Sequence, residues 1–115
     1  MASAVRITYD SEGDILFVTF GSPTPSTGYQ VADQILLRVH PESRHATGLT
    51  ILNYSVHAHS RALIPLSGVE GLEAPAGITA VLRSAPVNRF LKVVEDARGL
   101  HAIILEPALT EAVAA

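Results

Sequence analysis

Cysteine and tryptophan are both absent from this chain of 115 residues, and each absence closes off chemistry. Without cysteine there is no disulfide framework, no thiolate metal site and no thiol nucleophile. Without tryptophan, and with only three tyrosines and three phenylalanines, the core has to be aliphatic, and no aromatic platform for stacking bases or sugars stands out. Charge is scarce as well. Charged residues make up 17% of the chain, and eight basic against eleven acidic residues leave a net charge of −3. That is the wrong sign for a dedicated nucleic-acid binder, and Arg6, Arg38, Arg44, Arg61, Arg83, Arg89, Lys92 and Arg98 never cluster along the sequence, so no nucleic-acid partner is expected. No segment approaches the ~20 apolar residues of a membrane span, and the start lacks a basic region followed by a long apolar run. The expectation is a soluble, cytoplasmic protein with no membrane partner.

What is plentiful is aliphatic residue: 48% of the chain is hydrophobic, enough apolar area to offset the ordering entropy of one small domain. The reading is a single α+β domain, residues 1–115, of antiparallel β-hairpins with one or two short helices. It divides into a hairpin half (1–55), a loop-rich connector (56–75), and a helix with a second hairpin and tail (76–115). Val5, Ile7 and Tyr9 alternate with Arg6 and Thr8, the period of a half-buried strand; a polar turn follows, then a run over 15–20 expected to be a well-buried strand. Pro23 and Pro25 make 21–26 a loop or edge. Runs at 35–39 and 49–52 suggest a further hairpin. Residues 54–61 fit a short helix or an irregular link. Pro75 fits the first turn of a helix through Ile78, Val81 and Leu82, with Arg83 near its end and Pro86 beyond its stop. From Val87 a helical template competes with a strand. The strand is preferred, because Leu91 to Val94, a turn, and Leu100 to Leu105 repeat the shape of 37–52, and Glu95 and Asp96 sit badly at a helix C-terminus. The end, 110–115, reads as a weak helix.

The string Ile7-Thr8-Tyr9-Asp10-Ser11-Glu12-Gly13-Asp14-Ile15-Leu16-Phe17-Val18, continued by Gly48-Leu49-Thr50-Ile51-Leu52-Asn53-Tyr54-Ser55, resembles the signature of a family of small, mostly bacterial proteins, domain of unknown function 2283. The resemblance covers about the first half of the chain. It implies a small α+β domain built on antiparallel hairpins, with no established activity, and an antitoxin-like or protein-binding role, since some relatives look like second members of two-gene modules beside toxin-like proteins. This chain departs from the pattern at Arg38 and Thr50, where relatives often carry acids, which puts any role of those carboxylates in doubt here.

Asp10, Glu12 and Asp14 open like a calcium loop, but the sixth and twelfth positions hold Ile15 and Gly21 instead of Gly and Glu. A hairpin turn is the better reading, with Asp10 bonding nearby amides and Asp14 starting or capping the next strand. His57 and His59 form an H-x-H pair that in an extended segment would share a face, as two metal ligands do; a third ligand would have to come from His40, His45, His101 or a distant acid. Ser55 near His57 is no triad, and no nucleotide, hydrolase or zinc-protease motif is present, so no catalytic residue and no cofactor is assigned. Gly68-x-x-Gly71, beside Glu70 and Glu73, reads as a flexible turn. The leading expectation is a non-enzymatic protein-interaction domain, antitoxin-like or regulatory, working as a homodimer through an edge strand or the second hairpin. The alternative is a small metal-dependent or acid–base enzyme using His57, His59 and Asp10 or Asp14.

Overall fold

The computed structural model describes residues 5–22, 24–69 and 77–105. Among the described residues, eight strands and two short helices run in the order β1 (Val5–Asp10), β2 (Ile15–Phe20), β3 (Thr27–Ala32), β4 (Ile35–Val39), β5 (Ala46–Leu52), α1 (Tyr54–Ser60), β6 (Ile64–Pro65), α2 (Ile78–Arg83), β7 (Leu91–Asp96) and β8 (Gly99–Ile104), with 3-10 turns at Ser67–Val69 and Val87–Arg89. The first five form one antiparallel sheet in the order β1-β2-β5-β4-β3, and the last three a small sheet in the order β6-β8-β7. The α+β expectation, built on antiparallel hairpins within one domain, is met.

One hydrophobic cluster joins both sheets. The large sheet contributes Leu16, Val18 and Phe20 from β2, Leu37 from β4 and Leu49 and Ile51 from β5, and the small one contributes Leu91, Ala102 and Ile104. Period-2 alternation explains the selection, since every second side chain of a strand faces the same way. The same alternation leaves Phe17, between Leu16 and Val18, 40% exposed in a strand expected to be well buried. The helices are short because each buries one pair spaced four apart, Tyr54 and Ala58 in α1 and Ile78 and Leu82 in α2, which is one helical stripe. Phe20 meets Phe90 at a ring-centroid distance of 6.0 Å, which ties the end of β2 to the chain entering β7.

The hairpin from Leu91 is present, preceded by the 3-10 turn at Val87–Arg89, so the helical spacing there accounts for one turn only. Residues 54–61 are resolved in favour of helix. The connector carries structure where it is described: the end of α1, β6 and a 3-10 turn. Gly68 is not a flexible turn, because a Cβ there would lie 2.0 Å from the Gln30 carbonyl oxygen, so the backbone of the 3-10 turn is pressed onto β3. β3 itself has no counterpart among the strands read from the sequence. The expectations for Gly71, Pro75 and the 110–115 tail fall outside the described residues.

Candidate functional site

The signature-like residues at the start of the chain converge on one carboxylate. Asp14 sits at φ 54°, a left-handed position that Asp tolerates better than most residues. That turn aims its carboxylate across the sheet: Oδ1 accepts the Tyr9 hydroxyl at 2.6 Å and the Ser55 amide at 2.9 Å, and Oδ2 accepts the Ser55 hydroxyl at 2.8 Å. The Asp14 carbonyl also accepts the Tyr54 amide at 2.9 Å. Asn53 supplies no side-chain cap to α1, so Asp14, remote in sequence, satisfies the first amides of that helix. Asp10 behaves as expected of a turn residue, its Oδ1 accepting the Glu12 and Gly13 amides. Asp14 immediately precedes β2, in keeping with the expectation that it starts that strand, and it also caps a helix beyond β5. This constellation links the first hairpin to α1.

The Tyr9 hydroxyl, followed by the amides of Ser55 and Val56 and the Ser55 hydroxyl, holds the Asp14 carboxyl below its ordinary value of 3.8 against an opposing desolvation. The same bond, with desolvation, raises Tyr9 above its ordinary 10.0. A carboxyl lowered in the folded state stabilises the fold above its unfolded value, and that contribution fades as pH falls through the folded one. We therefore expect Asp14→Asn to cost about 1 kcal/mol at neutral pH, allowing for solvent exposure. The deficit should shrink as pH drops from about 5 to 2. Urea unfolding of both proteins across that range checks it; a deficit independent of pH would contradict the bonding described.

His57 and His59 do not come together as metal ligands. His57 and His59 lie on α1, where two residues turn the helix by about 200°, so they point to opposite sides. The extended segment that would have put them on one face is absent. His57 Nε2 bonds Gln34 Oε1, and His59 is exposed. Among the described residues no group of three or more His, Asp or Glu side chains is placed to hold a metal ion. Ser55 bonds Asp14 while His57 bonds Gln34, so the two do not act on each other. His101 is buried, its Nδ1 3.7 Å from Asp96 Oδ1 and without a hydrogen-bond partner among the described residues.

A continuous surface lies on the other side of the large sheet. The register places Thr8, Phe17, Thr50 and Leu36 in one row across β1, β2, β5 and β4, and Asp10, Ile15 and Leu52 in the next row. Phe17 and Leu52 are each 40% exposed, and Ile15 and Leu36 are partly exposed, so four partly exposed apolar side chains share one face. Arg6 and Arg38 lie at one end of this face, Asp10, Glu12 and Asp33 at the other, all exposed. The two positions that depart from the resembled pattern touch here, Arg38 Nη1 donating a long 3.4 Å bond to Thr50 Oγ1. The sequence hid this surface, because Ile15 and Phe17 belong to a run with no polar residue before Thr19. In comparisons with known proteins, no family model, no curated protein and no solved structure matches the chain.

Proposed function

We propose that this chain is a protein-interaction domain of the antitoxin-like or regulatory kind implied by its signature, and that it works as a homodimer joined through the outer face of its large sheet. The observation that carries this reading is the apolar group Ile15, Phe17, Leu36 and Leu52 set between a basic and an acidic end of one face. Such a face complements itself. A two-fold axis running across the strands along the Phe17 row stacks Phe17 on its copy and swaps the ends, so Arg6 of one protomer meets Asp10 of the other. Burying four half-exposed aliphatic and aromatic side chains supplies the affinity, and the paired charges set the orientation. The segments that carry the resemblance, 7–18 and 48–55, support the reading too: they lie side by side as β1, β2 and β5 and are joined by Asp14 and Ser55.

Light scattering tests it. The chain of 12.2 kDa should run at twice that mass at about 100 μM. Phe17→Glu should return it to the single-chain mass while changing folding stability by no more than about 0.5 kcal/mol, as expected at an exposed position. Arg6→Asp should weaken the dimer and make its mass more sensitive to dilution. A single-chain mass for the unaltered protein at about 100 μM, or a dimer indifferent to Phe17→Glu, would overturn this reading.

A further inference from the structure

A cleft of about 590 Å³ opens on the side of the fold away from the Asp14 node, between the β4–β5 turn and α2. This volume lies within the range of small-molecule sites. Its apolar lining comes from Phe20, Val81, Ala85 and Pro86, and its polar rim includes His40, Ser43, Arg44 and His45. No Asp or Glu lines it among the described residues, although acids outnumber bases in the chain as a whole. The rim is held in place by its own backbone, since His40 N bonds His45 O at 2.9 Å and Arg44 N bonds His40 O at 3.0 Å. The Glu42 and Ser43 amides both donate to His40 Nδ1, at 3.1 and 3.2 Å. With Nδ1 occupied as an acceptor, a neutral His40 carries its proton on Nε2 and presents that N–H as a donor. Ser43 Oγ accepts the His45 amide at 3.4 Å, which leaves its O–H free to donate. Arg44 makes no ion pair among the described residues, so its guanidinium is available to an oxyanion.

We propose that this cleft binds a small phosphate monoester, the phosphate on the Arg44, His40 and Ser43 rim and a short apolar group against Phe20, Val81 and Pro86. A guanidinium fork with imidazole and hydroxyl donors matches the several acceptor oxygens of a phosphate, and the apolar lining selects an organic ester over the free ion. The site is independent of the sheet face argued above for dimerisation.

Phenyl phosphate is the probe, titrated into ¹⁵N-labelled full-length protein at constant ionic strength, with inorganic phosphate, benzoate and benzyl alcohol as comparison arms. The expected result is saturable amide shifts at Thr47, Ala80 and Ser84, with phenyl phosphate about tenfold tighter than inorganic phosphate and benzyl alcohol silent. Arg44 has φ 64°, so Arg44→Asn and Arg44→Gly both suit its backbone and keep the turn. Each should weaken phenyl phosphate about tenfold, with the remaining spectrum preserved. The proposal is overturned if phenyl phosphate gives no saturable shift up to about 10 mM, if benzoate binds equally well, or if both Arg44 variants bind as the parent does.

Discussion

Replacing Gly68 by alanine should cost about 3 kcal/mol of folding stability, close to the upper end of ordinary overpacking. The added Cβ would sit 2.0 Å from the Gln30 carbonyl oxygen and 2.9 Å from the Val31 Cα. Both obstacles are backbone, so no rotamer change relieves them; either the 3-10 turn at Ser67–Val69 moves away from β3, or β3 moves. Either movement disturbs buried neighbours, since Val31 and Leu66 are at most 1% exposed. The expected readout is a thermal midpoint lowered by about 10–15 °C. Gly28→Ala is the matched control, because its Cβ would meet only the Leu36 side chain, at 3.5 Å, an ordinary contact. That variant should be neutral or gain a few tenths of a kcal/mol through the loss of unfolded-state freedom. A Gly68→Ala midpoint within about 2 °C of the parent would show that the close approach does not exist in solution.

The contrast between these two glycines shows where sequence stops informing. In the sequence, Gly68 and Gly28 look alike; what separates them is a backbone nearly forty positions away. The strands were legible where apolar residues alternate or run together between polar turns, as at Val5, Ile7 and Tyr9 or at Leu37 and Val39 against Leu49 and Ile51. β3 was not, because Gly28 and Gln30 dilute its pattern and two prolines precede it, although Tyr29 and Val31 keep the period of a strand. The α1 ambiguity followed from its length: seven residues offer two buried positions, too few to establish a period.

The candidate sites divide in the same way. Asp10 was readable because its bonds go two and three residues ahead, within one turn. The cap that Asp14 makes on α1 was not, because the partners at Ser55 come from across the sheet. The pairing of His57 with His59 rested on an extended backbone, and a helix removes that premise outright. His40, Arg44 and His45 are close together in the sequence, but without Val81 and Pro86 beside them they read only as a polar turn. The outer face of the sheet is the reverse case. Its apolar residues belong to runs read as strands, and a run uniform in hydrophobicity gives no sign of which members face the core.

Tyr54 joins these separate observations, and its removal should have the largest effect of any single side chain. It is fully buried, its ring packs edge-on against Tyr9 at 6.1 Å, its amide bonds Asp14 and its hydroxyl donates to the Leu105 carbonyl at 2.9 Å. It therefore ties the first hairpin, α1 and the end of β8 together. Tyr54→Ala should cost about 3–5 kcal/mol, the range for emptying a buried aromatic position, which is a large share of the 5–15 kcal/mol typical of a domain. Tyr54→Phe keeps the ring and the amide but leaves the Leu105 carbonyl without this partner, and should cost about 1–2 kcal/mol. Urea unfolding of both variants separates the contributions. If the two cost the same, the hydroxyl carries the effect and the ring does not hold the sheets together. If Tyr54→Ala costs less than about 1 kcal/mol, the two sheets are not coupled through α1 at all, because a buried ring with contacts on three elements cannot be lost that cheaply.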